Sequence, residues 1–332
     1  MKARIAVVMS LFVVVVGTVT LIPGRAQEAS VPGQQPPANG APPTANPLKV
    51  ALLKWYKINL TTTFHMPTNP TGVAFDGENI WMSANGAGQV VKLRASDGAK
   101  LGTFDVGLAP MGVAFDGANV WVANSNSSTV SKLRASDGKV LGTFNSGGQM
   151  PWYLAFDGQN IWVTNEGNTT LSELKAADGS IVATYHEKHG VVGIAFDGTY
   201  MWVSDRYNSV YRYRLDGTHA GTFQVGLQPL NMAFDGTNMW VANSGEQSVT
   251  KLRASDGKVL GTFFTGNAIG PWGIAFDGQN LWISGGPYIV EMRPSDGKLL
   301  LQQHLMGSLG SVGFDGANIW VAGYTASVAY KL

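Results

Sequence analysis

The sequence predicts an all-β, seven-bladed β-propeller built from four-stranded antiparallel blades. Three observations carry that expectation. First, Phe-Asp-Gly, two residues, an aliphatic residue or Met, then Trp recurs seven times, with tryptophans at Trp81, Trp121, Trp162, Trp202, Trp240, Trp282 and Trp320 and spacings of 40, 41, 40, 38, 42 and 38. A period near 40 with an aromatic signature marks propellers, solenoids or arrays. Second, each unit divides into four short apolar runs separated by Asp-Gly turns, with no helical period. Third, the two ends of the chain complement each other, as a closed ring requires.

The second copy shows the unit. Gly112–Phe115 is a first strand, Asp116-Gly117-Ala118-Asn119 a turn and Val120–Ala123 a second strand. A loop over 124–128 follows, then a third strand Thr129–Arg134, the turn Ser136-Asp137-Gly138 and a fourth strand Lys139–Phe144. The inner two strands are almost continuously apolar, as expected where neighbouring blades cover both sheet faces. The last unit stops after a third strand at Ser327–Leu332, while 60–64 reads as a fourth strand without a blade. The N-terminal strand is therefore expected to complete blade 7 and close the ring, which removes two open sheet edges.

Composition narrows the chemistry. The chain has 332 residues, 45% hydrophobic and 14% charged, which supports a large core rather than a disordered chain. It has no cysteine, which excludes a thiol nucleophile, a Cys-ligated metal, a disulfide scaffold and an acylated lipoprotein Cys. Residues 1–26 read as a signal peptide: Lys2 and Arg4, an apolar run over 5–22, then Gly24-Arg25-Ala26 before a cut at Gln27. An uncleaved anchor is the competing reading, because 18 residues can just span a bilayer. Cleavage removes three cations and no acid, taking the net charge from +1 to −2. With no basic run besides, nucleic acid is not an expected partner. Residues 27–47 are Pro-, Ala- and Gln-rich and read as an extended, disordered tether. The propeller takes 48–332. The expected product is a secreted or periplasmic monomer with no membrane insertion after signal cleavage.

The phrase Lys-Leu-Arg-Ala-Ser-Asp-Gly-Lys-Val-Leu-Gly-Thr-Phe, followed by Gly-Ile-Ala-Phe-Asp-Gly-x-Asn-Ile-Trp-Val-Ala-Asn, resembles the secreted YVTN-type seven-bladed propellers. It is also similar to the propeller of streptogramin (virginiamycin B) lyase. The likeness spans roughly residues 50–332 and rests on blade-building residues. The lyase family implies metal-dependent, eliminative opening of a cyclic ester, with a His base and Glu metal ligands; the one Glu-x-His of this chain is Glu187-Lys188-His189. A weaker likeness, through Asp-Gly-Lys-Val-Leu, runs to quinone-cofactor propellers, which typically have eight blades.

Most repeated polar residues read as scaffold. Of 22 acids, 13 sit in the Asp-Gly turns, where Asp bonds local amides and Gly takes positive φ. A calcium role for Asp-Gly-x-Asn lacks enough oxygen ligands in one turn. The Lys and Arg of Lys-Leu-Arg (Lys92, Arg94, Lys132, Arg134, Lys251, Arg253) read as a solvated outer face. His65, His186 and His304 share one repeat position on the outermost strand and cannot converge on one metal.

Function is expected where the repeats disagree, on the face opposite the Asp-Gly turns. The end of the second strand runs Asn85, Asn124, Asn165, Asp205, Asn243, Gly285, Gly323, and the next position Gly86, Ser125, Glu166, Arg206, Ser244, Gly286, Tyr324. Glu166, Asp205, Arg206 and Tyr207 thus gather on blades 3 and 4, beside the charged loop His186-Glu187-Lys188-His189. Trp152 and Tyr153 break the usual Pro-x-Gly start of a blade, and Trp272 holds the Trp152 position in blade 6, across the channel. The expected ligand-binding set is Trp152, Tyr153, Glu166, Asp205, Arg206, Tyr207 and Trp272, with aromatic walls and mixed charge suited to a small polar molecule, a glycan or a protein. No cofactor or metal is expected for such a noncatalytic binding or scaffolding role. The alternative is a metal-assisted lyase or hydrolase using Glu166, Glu187, His189 and Asp205, holding a divalent ion.

Overall fold

The computed structural model describes residues 62–332. The signal, the tether and the start of the propeller body before Thr62 lie outside the described residues. Seven four-stranded antiparallel sheets follow one another. Blade 1 runs Pro70–Phe75, Asn79–Ala84, Gln89–Arg94 and Lys100–Asp105, and the next five repeat this order. Blade 7 takes Leu309–Phe314, Ile319–Gly323 and Val328–Lys331 from one end of the chain and Thr62–His65 from the other. Two short 3-10 turns, Asn85–Ala87 and Ser125–Ser127, are the helical elements among the described residues. No helix there is long and apolar enough to cross a membrane.

The repeated motif has a hydrogen-bond explanation. In blade 2 one Asp116 oxygen accepts the amides of Ala118 and Asn119, which closes the turn, and the other accepts the Trp121 indole N–H at 2.8 Å. The same Asp-to-Trp bond recurs in every blade, from Asp76–Trp81 to Asp315–Trp320. The carboxylate lets a tryptophan bury its body without orphaning its N–H. Burial would raise the pKa of Asp116, Asp235 and Asp315, but the indole and amide donors outweigh it and hold all three below the usual value.

The core is a series of clusters at the seams between blades rather than one central mass. Trp81 and Val90 of blade 1 pack with Val120, Val122 and Leu133 of blade 2. The closure seam is built alike: Trp320, Ala322 and Ala329 of blade 7 pack with Ile80, Met82 and Val91 of blade 1. Each Asp-Gly turn between a third and a fourth strand also sits on the fourth-strand aromatic of the preceding blade. A Cβ on Gly138 would lie 2.0 Å from Phe104, and one on Gly98 would lie 1.9 Å from Phe64.

The third-strand lysines correct a sequence expectation. Lys92 and Lys132 are not a solvated face but are buried. Lys92 Nζ donates to the carbonyls of Ala135 and Ser136 in the next blade, and Lys132 to Ala176 and Ala177. Lys251 reaches Pro294 and Lys331 reaches Ala95 and Ser96, while Arg212 takes the same role toward Ala254. Each is a latch across a seam, with its cation over the blade's own tryptophan at about 5 Å. Arg94, Arg134 and Arg253 do face solvent, paired to Asp97, Asp137 and Asp256.

Strands alternate direction, so the second–third loops and the inter-blade loops share one face, the variable face. The first strand of every blade carries a bulge just inside it, as between Pro151 and Leu154. The bulge turns one extra residue toward the channel mouth.

Candidate functional site on the variable face

Trp152 and Trp272 occupy bulge positions in blades 3 and 6, Pro151–Phe156 and Pro271–Phe276. They were expected as aromatic walls of a mouth, with Trp272 across the channel from Trp152; the two rings stack, with centroids 6.3 Å and planes 21° apart. Tyr324 of blade 7 extends the stack beyond Trp272 at 6.3 Å. On the other side the Arg206 guanidinium lies 4.5 Å over the Trp152 ring, and its Nε donates to Glu166 at 2.7 Å. The result is a ladder of guanidinium, two indoles and a phenol drawn from four blades.

Tyr153 supports the ladder from beneath. It is buried, its hydroxyl accepts the Trp272 indole N–H at 2.8 Å and it pairs with Ser311 at 3.3 Å. Below it the channel narrows to a cavity of about 140 Å3 lined by residues such as Gly72, Val113, Met232 and Ser311. The Trp152 indole N–H is buried without an acceptor among the described residues.

The charged candidates do converge. Glu166 and Arg206 share the one ion pair on this face among the described residues. Asp205 is fully buried: one oxygen accepts the amides of Tyr207 and Ser209, and the other the Tyr211 hydroxyl. Glu187 lies near it. Burial, then the Asp205 charge, push the Glu187 pKa up to about 7. Burial, followed by the same two carboxylates, also raises Tyr211. His189 packs on Tyr207 with centroids 4.0 Å apart and planes tilted by 40°. No group of three or more His, Asp or Glu side chains poised to hold a metal forms among the described residues. His65, His186 and His304 end the outermost strands of blades 7, 3 and 6 and are exposed.

The pairing register corrects one alignment. Pro70 faces Ala84 as Pro110 faces Asn124, so Ala84 belongs to the Asn124 series and Asn85 to the Ser125 series. The spacing from the repeat tryptophan is the same in both blades, Trp81 to Ala84 and Trp121 to Asn124, and the blade 3–4 residues are unchanged.

Other residues of the site were not singled out from sequence. An open groove of about 530 Å3 runs beside Arg206 and Tyr207, walled by Leu227 and Gln228 of the loop between blades 4 and 5 and by Gly245 of blade 5. The face also displays large apolar side chains that find no core: Leu108 (66% exposed), Met150 (43%), Tyr207 (58%), Leu227 (53%), Ile269 (60%) and Met306 (75%). All but Tyr207 lie in inter-blade loops, each from a different seam. The sequence signal was available: an apolar residue one to three places before the residue that opens the next blade (Pro in four cases, Leu309 after Met306), in a loop with no strand to bury it.

No family model and no curated protein sequence matches the chain. Solved structures do match in shape. A virginiamycin B lyase from Staphylococcus aureus aligns at TM-score 0.68 and 17% identity, covering 82% of this chain and 98% of its own. A catalytically inactive form of that lyase with quinupristin aligns at 0.70 and 17%, with coverages of 82% and 98%. Hydrazine synthase from Kuenenia stuttgartiensis aligns as well, at 0.69 and 17%, with coverages of 82% and 97%. Such identities speak for fold alone, and the chain is a seven-bladed β-propeller similar in fold to virginiamycin B lyase.

Proposed function

We propose that this chain is an exported, noncatalytic binding propeller that takes a polypeptide partner on its variable face. The observation that carries the reading is the set of six exposed apolar side chains around the Arg206–Trp152–Trp272–Tyr324 ladder. Exposed apolar side chains around an aromatic and arginine centre match the usual composition of a protein-binding patch. The groove beside Arg206, Tyr207 and Leu227 suits an extended segment, with Arg206 placed for a carboxylate or carbonyl on it. A glycan is the weaker choice. Each ladder tryptophan already has two stacking neighbours, which leaves little indole face for a sugar.

The metal-assisted lyase reading keeps one supporting observation, Glu187 held near neutrality beside Asp205, as an acid–base group would be. One experiment tests both readings. A random peptide library is selected on the immobilised chain, and the peptides are titrated against Trp152→Ala, Arg206→Ala and the rim control His304→Ala. Binding should weaken at least tenfold in the first two variants and stay unchanged in the third. Equal affinity in all four proteins removes the site from this face. Turnover of quinupristin that depends on an added divalent ion and is lost in Glu187→Gln favours the lyase.

A further inference from the structure

The third residue of the first strand is glycine in blades 1, 2, 4 and 6: Gly72, Gly112, Gly193 and Gly273. Packing between blades enforces it. A Cβ on Gly72 would lie 2.2 Å from the Met111 carbonyl oxygen, and one on Gly193 would lie 1.8 Å from that of Leu230, each in the first strand of the next blade. Blades 3, 5 and 7 carry Tyr153, Asn231 and Ser311 instead. All three side chains line the axial cavity of about 140 Å3. The three departures from glycine thus meet in one place.

The cavity has two tiers. Tyr153, Asn231 and Ser311 form the polar one. The next residue of the same strands, from Val73 in blade 1 to Val312 in blade 7, is aliphatic or Met in every blade, and all seven line the cavity as an apolar ring. No charged side chain among the described residues lines it.

Hydrogen-bonding capacity is left over in the polar tier. The Tyr153 hydroxyl accepts the Trp272 indole N–H at 2.8 Å and lies 3.3 Å from the Ser311 hydroxyl. Two hydroxyls hold two protons, and the bond between them uses one. Whichever of them donates, the other proton has no acceptor among the described residues, although Tyr153 and Ser311 are only 8% and 6% exposed. The partly buried Asn231 amide makes no hydrogen bond among the described residues either, which leaves its N–H donors and its carbonyl unspent. Polar groups left unpaired in the interior are costly, and a cavity that presents them does not stay dry.

We propose that this axial cavity binds one small neutral molecule with a carbonyl head and a short branched aliphatic body, of the class of primary amides. The carbonyl accepts the spare hydroxyl proton, the amide N–H group donates to the Asn231 carbonyl, and the alkyl group rests in the apolar ring. Size sets the limit: a cavity of about 150 Å3 takes a six-carbon ring, so about six heavy atoms fit. The lining also selects against charge, because a buried carboxylate or ammonium needs a partner that these walls do not offer. The site is distinct from the groove beside Arg206 and does not rest on the polypeptide reading.

Isobutyramide has this size and both groups, and it is the probe. The full chain with isotope-labelled methyl groups is titrated with it, and the Ile194 and Ile274 methyl signals, both from the apolar ring, are followed by NMR. They should shift saturably, with a Kd of about 10 mM or lower. Isobutyrate at neutral pH should bind at least tenfold more weakly. Asn231→Gly installs the residue that four blades carry at this position, so the blade should fold, and it should weaken isobutyramide at least tenfold. Val73→Met/Val113→Met installs the residue that blade 5 carries as Met232 and fills the apolar ring; it should weaken the probe to a similar extent. Signals that do not saturate would mean a cavity that holds water only, and they overturn the proposal. Equal affinity in the wild type and both variants, or isobutyrate binding as tightly as the amide, overturns it as well.

Discussion

Glu187 departs far from ordinary carboxylate behaviour, and the cause is local. It sits half-buried in the loop between blades 3 and 4, next to the fully buried Asp205, and its pKa rises to about 7. A carboxyl whose folded pKa exceeds its unfolded value holds a proton in the folded state that the unfolded chain has lost. Stability therefore falls as pH rises from about 4.5 through about 7. Glu187→Gln removes that titration. Thermal melts from pH 5 to pH 8 should show a shallower loss of Tm in the variant than in the wild type, with the variant gaining most at pH 8. Equal slopes would place the Glu187 carboxyl in solvent. The sequence brought Glu187, Asp205, Arg206 and Glu166 to one corner because a repeat makes every departure visible against its neighbours. It could not show that Asp205 is buried beneath Tyr211, or that Trp152 meets Trp272 across the channel. Equivalent positions on different blades give an angle around the ring, and the reach of each side chain toward its axis depends on the bulge.

At the scale of the element, the Asp-Gly turns come in two kinds that look alike in sequence and differ in surroundings. Gly117, in the first–second turn, has φ +95° and open space where a Cβ would go. Gly138, in the third–fourth turn, has φ +75° and the Phe104 ring of the previous blade 2.0 Å from that position. Gly117→Val should cost only backbone strain, about 1–2 kcal/mol. Gly138→Val adds overpacking against Phe104 and should cost about 2–4 kcal/mol. Denaturant melts of the two variants decide it, and equal losses would show that the turn does not bear on the neighbouring blade. This difference was invisible in the sequence for the same reason the lysine latches were. A Lys on an outer strand beside an Asp-Gly turn reads as solvated, because the carbonyls it caps belong to another blade more than 40 residues away. Strands, turns and register were legible because their determinants are local; contacts across seams were not.

For the whole molecule, the question is whether the ring is closed by a strand as firmly held as any other. Thr62–His65 pairs with Val328–Lys331 over four residues, against six in most other strands, which suggests a weak point. The side-chain contacts say otherwise. Phe64 stacks on Trp320 at 5.6 Å, the same distance as Phe104 on Trp81. Both phenylalanines lie under a turn glycine of the next blade, and Lys331 latches to Ala95 and Ser96 as Lys92 does to Ala135 and Ser136. The closure seam thus repeats the chemistry of a seam within the chain, although its two sides lie more than 230 residues apart. In a ring, two seams must open for any one blade to gain freedom, so the stability of each blade depends on the contacts across its seams rather than on chain connectivity. Phe64→Ala and Phe104→Ala should then destabilise by similar amounts, about 2–4 kcal/mol each, below the full core value because both rings are partly exposed. A loss at Phe64 under half that at Phe104, in matched denaturant melts, would mean that the ring opens first at its ends and that the N-terminal strand is a clasp rather than a seventh seam.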